Sequence, residues 1–177
     1  MAQQQQLMRG QLDNETALNY ILAAGNGRNL KRTFTFVDRA MNQRFTFKIT
    51  EQPDNKVMRF VKLLNGPDNV RDYKYFAYLK LVNGSFTYHY GGAKAKVNRV
   101  TPSVQMFETV ISFLRAKAEK RFIPEDKKAM FEALENNIEI WHEGKCGRCG
   151  RKLTVPSSVH NGYGPECIQM AGNHYHF

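Results

Sequence analysis

Cysteine is scarce in this chain: 177 residues hold three, at positions 146, 149 and 167. A disulfide framework would spread an even number along the sequence. Three confined to one C-terminal window fit metal ligation in a reducing compartment, which implies the cytoplasm. Long apolar runs are missing too, and no stretch nears the roughly 18 residues that a membrane span requires. The first ten residues are polar and glutamine-rich, without the apolar stretch of a secretory signal. Carboxylates are in short supply, 16 against 26 lysines and arginines, for a net charge of +10. Also absent are a glycine-rich phosphate loop ending in Lys-Ser/Thr, a Gly-x-Ser-x-Gly elbow and a paired-carboxylate motif. Gly25-Asn26-Gly27 lacks the preceding strand of a dinucleotide fingerprint. Together these absences argue against an enzyme and against a small-molecule substrate.

What the chain does contain is 12 phenylalanines and 42% hydrophobic residues, enough for a real core. Residues 1–12 read as a disordered leader. Asp13 or Asn14 can cap a short helix with Ala17, Leu18, Ile21 and Leu22 on one face, and Gly25-Asn26-Gly27 stops it. From Leu30 the period becomes two. Phe34 and Phe36 share a face, as do Phe45, Phe47 and Ile49, with Arg44, Thr46 and Lys48 opposite, which predicts an antiparallel pair. A turn at Pro53-Asp54-Asn55 leads to a third strand over 57–64.

The sharpest local expectation is a hairpin over 72–90. Its Asn83-Gly84 loop suits a type I′ turn, which sets Leu81 against Phe86, Leu79 against Tyr88 and Ala77 against Tyr90. The reverse face then carries Lys74, Tyr78, Lys80, Thr87 and His89. Thr101-Pro102 starts a helix whose apolar stripe runs through Met106, Phe107, Val110, Ile111, Phe113, Leu114 and Ala118. Pro124 begins a shorter helix with Met130, Phe131 and Leu134 inward. The expected fold is α+β: an antiparallel sheet of about five strands, two covering helices and a C-terminal structural zinc module. The α+β domain covers 13–137 and the zinc-binding module 138–177, entered by a short strand over 138–141.

Cys146-Gly147-Arg148-Cys149-Gly150-Arg151 has the spacing of a zinc knuckle. Two thiolates three positions apart wrap one tetrahedral ion, and the following glycine lets backbone amides turn toward sulfur. Cys167 supplies a third thiolate. The fourth ligand is His142, four residues before Cys146, with His160 and the C-terminal His174 and His176 as alternatives. The metal is structural, because no Glu or His is spaced as the general base of a zinc hydrolase or deaminase.

Lys145, Arg148, Arg151 and Lys152 crowd cations around this knuckle, and Tyr163 could stack on a base. The competing reading is that part of that charge balances a three-thiolate, one-histidine site. The sheet's polar face offers a second surface in Arg44, Lys48, Lys74, Tyr78, Lys80 and His89. Aromatics interleaved with lysines can serve single-stranded nucleic acid, although lysine and threonine also occur on any half-solvated sheet.

The stretch from His142 through Cys146, Cys149 and Leu153 to Pro156, followed by Gly162-Tyr163-Gly164-Pro165-Glu166-Cys167, resembles a family of functionally uncharacterised zinc-finger-like domains of bacteriophage and bacterial proteins. Their pattern is Cys-Gly-x-Cys-Gly-Arg-x-Leu, then a serine, then Gly-x-Gly-Pro-x-Cys, with Ser157 or Ser158 at the serine. The run Asn65-Gly66-Pro67-Asp68-Asn69 with Asp72-Tyr73 is similar to sequences upstream of such modules in phage proteins. The resemblance implies a phage or prophage origin, hence the host cytoplasm, and no reaction. The reading from sequence is a small, basic, non-catalytic accessory protein that binds DNA or RNA. The alternative is an inhibitor or adaptor docking on an acidic surface of a host or viral protein, such as a defence factor.

Overall fold

Asp13 opens the first helix as its residue type predicts: Oδ1 accepts from the Thr16 backbone N–H at 2.7 Å. The computed structural model describes residues 10–22, 31–52, 54–146, 151–154, 159, 162–166 and 169. The expected helix stop at Gly25-Asn26-Gly27, and Pro53, lie outside them. The elements are β1 (Gln11–Leu12), α1 (Asn14–Leu22), β2 (Lys31–Asp38), β3 (Gln43–Gln52), β4 (Asn55–Leu64), β5 (Tyr73–Val82), β6 (Ser85–Tyr90), α2 (Pro102–Ala118), α3 (Glu125–Asn137) and β7 (Ile138–His142).

The class is α+β, with a larger sheet than expected. Among the described residues seven strands run in the order β1-β7-β2-β3-β4-β5-β6, each pairing antiparallel to its neighbours. The two additional strands, β1 and β7, flank the other five in sequence. Gln11 and Leu12, expected in a disordered leader, pair with Trp141 and Ile140. β7, expected to lead into a separate module, pairs along β2 from Phe34↔His142 to Asp38↔Ile138. Its alternating Ile138, Ile140 and His142 are buried. The junction between the sheet and the C-terminal segment therefore falls after His142.

The β5–β6 hairpin has the expected register, Ala77↔Tyr90, Leu79↔Tyr88 and Leu81↔Phe86. Asn83 and Gly84 have φ of 51° and 79°, the pair of positive values that a type I′ turn demands. Farther down β5 the pairing with β4 shifts between Val61 and Lys62, so that Phe76 is an extra residue. Both Phe76 and Ala77 are then buried, and the pleat changes parity. Lys74, expected beside Tyr78 and Lys80, instead sits opposite inward-facing Leu63 at the strand's exposed end. Tyr75 takes its place on the Tyr78 face.

One face of the sheet is the core. Phe107 of α2 reaches its centre, with ring centroids 5.0–6.4 Å from Phe34, Phe36, Phe47, Phe76 and Tyr88. α2 starts at Pro102 as expected, but Thr101 does not cap it. Its hydroxyl donates back to the Asn98 carbonyl at 2.8 Å. On α3, Phe131 is buried against Phe113 at 5.6 Å, whereas Met130, expected inward, is 40% exposed. Among the described residues no helix is long and apolar enough to cross a membrane.

Candidate nucleic-acid interface and metal hairpin

β4 carries an inversion of the usual pattern. Its inward residues are Arg59, Val61 and Leu63, and its outward ones are Met58, Phe60 and Lys62. A slip of one residue would bury Phe60 and free Arg59, but it would also expose Val61 and Leu63. The register is kept by making Arg59 tolerable inside. Its guanidinium donates to the Leu22 carbonyl at 3.0 Å and lies 4.1 Å from the Phe86 ring centroid.

Phe60 is thereby held on the face opposite the core, edge-on to Tyr75 at 5.4 Å. Tyr78 follows across the strand from Phe60 and stacks on His89 at 5.0 Å with a 15° interplanar angle. Lys48 Nζ sits 3.8 Å above the Tyr73 ring. Met58, Phe60, Lys62, Tyr75, Tyr78, Gly91 and Lys94 line a groove of about 560 Å³. Gly91 backs the Tyr75 ring so closely that a Cβ there would come within 2.9 Å of it.

The charge that β2–β6 contribute to this face is of one sign. By pleat alternation β2–β6 turn Arg44, Lys48, Lys62 and Lys80 outward, while their two carboxylates, Asp38 and Glu51, have the opposite parity. Among the described residues, acids join this face from β7 and just beyond it, and Glu143 reaches Lys48 and Tyr73. Glu139 pairs with Arg39 at 3.5 Å. Burial raises the Glu143 pKa, with Lys145 and Lys48 acting against it. Sequence reasoning missed Phe60 and Tyr75. Their alternation was visible in the sequence, but the bulge that aligns them with Tyr78 was not.

The C-terminal segment, where the other cationic surface was expected, begins as a hairpin. Gly144 to Cys146 pairs with Arg151 to Leu153: the Cys146 N–H donates to the Arg151 carbonyl and the Leu153 N–H to the Gly144 carbonyl, each at 2.8 Å, with Lys145 bridging Lys152. Cys146 is buried, and its sulfur accepts from the Gly164 N–H at 3.3 Å. This hairpin base, with an amide aimed at sulfur, fits a zinc knuckle. Lys145, Arg151 and Lys152 are exposed around it. Arg148, Cys149, His160, Cys167, His174 and His176 lie outside the described residues, and among the described residues no cluster of three or more metal-ligating side chains occurs.

His142 is buried, and both of its ring nitrogens meet backbone. Nδ1 accepts from the Gly144 N–H at 2.9 Å and Nε2 donates to the Val159 carbonyl. A carbonyl can only accept and an amide N–H only donate, so the imidazole is neutral with its proton on Nε2. Burial lowers its pKa in the same direction, against the Val159 bond. A metal bond at either nitrogen would replace one of these hydrogen bonds. Tyr163, expected to stack on a base, is only 2% exposed. Its hydroxyl donates to the Asn19 carbonyl, and its ring meets Tyr20 edge-on at 6.1 Å. It faces the core because Gly162, at φ 78°, turns the chain tightly against Tyr20.

No curated protein matches the chain, and no solved structure does. Residues 141–168, from the end of β7 through the cysteine hairpin, match DUF6011, a family of unknown function.

Proposed function

We infer that this is a non-catalytic, zinc-containing accessory protein of phage type that binds nucleic acid. The observation that carries the reading is the outward face of β2–β6, which presents lysines, an arginine and aromatic rings with no carboxylate among its described residues. Such a face attracts a polyanion and offers ring surfaces to its bases. The exposed Lys145, Arg151 and Lys152 extend the same charge to the metal hairpin.

Zinc has a structural task in this reading. Cys146, Cys149 and Cys167 hold it, and the Gly164–Cys146 contact supports the arrangement: three residues span at most about 11 Å, which keeps Cys167 within reach. The fourth ligand is His142 turned from one of its backbone partners, or a histidine farther along. Metal analysis of the purified chain should return one zinc per molecule, and about one-half or less after Cys146→Ser.

Titration of DNA and RNA binding against salt tests the function. Affinity should fall steeply with salt, and alanine at both Arg148 and Arg151 should flatten that slope by up to about two phosphate contacts. Absence of binding at low salt would overturn the reading in favour of an acidic protein partner.

A further inference from the structure

We propose that the groove between Met58, Phe60, Lys62, Tyr75, Tyr78 and Lys94 receives an unpaired base, so that the ligand of the sheet face is a single strand. This rests on the nucleic-acid reading and adds the strandedness and the contact residues. Four observations carry it. Phe60 stands outward on a strand whose arginine stands inward, an exchange that the core alone would not favour. Phe60 and Tyr75 form two walls at 83°, so a flat ring laid on one turns its edge to the other. Tyr78 is steadied by His89, and Tyr75 by the close backbone of Gly91; both rings are therefore held in place before any ligand arrives. Finally, the groove carries Lys62 and Lys94 and no acid, a complement to a phosphate-linked ligand.

At about 560 Å³ the groove is within the size range of small-ligand sites. A duplex keeps its bases stacked inside and cannot supply a ring face to such a pocket without paying to unstack one. A single strand supplies it freely. An acidic peptide would be held by the lysines but would leave Phe60 and Tyr75 without use.

The test uses the full chain with a labelled oligothymidylate of about 20 nucleotides, the matching oligouridylate, a duplex of the same length and polyglutamate. The single strands should bind more tightly than the duplex and polyglutamate. Phe60→Ala and Tyr75→Ala should each weaken single-strand binding roughly five- to hundredfold while leaving the salt slope unchanged. Lys62→Ala should flatten the slope, and Phe122→Ala, at a ring 87% exposed on the helical side, should change nothing. Equal binding of duplex and single strand, unaffected by Phe60→Ala and Tyr75→Ala, would overturn the groove assignment and leave the nucleic-acid reading standing. Tight binding of polyglutamate, with none of either nucleic acid, would overturn both.

Discussion

Gly162 and Tyr163 show how a functional reading can dissolve into packing at the scale of single residues. In sequence, a tyrosine between glycines beside a basic knuckle has the profile of a stacking residue. In the fold the glycine's positive φ aims that tyrosine into α1, where its hydroxyl finds Asn19. The burial was illegible because it depends on a helix more than a hundred positions earlier. Gly162→Ala combines an unfavourable φ with a Cβ 2.8 Å from the Tyr20 ring. It should cost about 1–3 kcal/mol, read as a lower midpoint in urea unfolding. Tyr163→Phe removes one buried hydrogen bond and should cost about 1 kcal/mol. Nucleic-acid affinity should not change with it, because the ring does not reach the surface.

Among the elements, legibility followed the range of the interactions that decide each one. The β5–β6 hairpin was readable to the residue pair, since Asn83-Gly84 and a run of alternating residues settle it within one stretch of chain. The bulge at Phe76 was not, because it answers to β4 and to the ring of Phe107 above it. It transfers Lys74 off the proposed binding face and brings Tyr75 on, which is why the sequence placed Lys74 on that face and missed Tyr75. Gly84→Val places a β-branched side chain at φ 79° and should destabilise by about 1–2 kcal/mol. Native-state hydrogen exchange should show the loss first in β6, the sheet's edge strand.

Over the whole molecule, the α+β class and the core phenylalanines were legible from periodicity, while the strand count was not. The reason is local. β1 and β7 are short, and only their pairing with each other and with β2 makes them strands. The same pairing makes the cysteine hairpin an extension of the sheet, tied back through Val159 to His142 and through Tyr163 to α1. If zinc holds that hairpin, chelation should loosen the segment after His142 and leave the Phe107 core folded. Circular dichroism should then keep its sheet signal while limited proteolysis begins to cut beyond residue 142.

Because Ile138–His142 is inserted between Gln11–Leu12 and Lys31–Asp38, a ribosome cannot release a finished sheet until residue 142 has been added and has emerged. Until then Lys31–Asp38 offers an open row of amides and carbonyls to any passing strand. A chain stopped at residue 137 would carry that vacancy permanently, and its fate should be self-association rather than a smaller working protein.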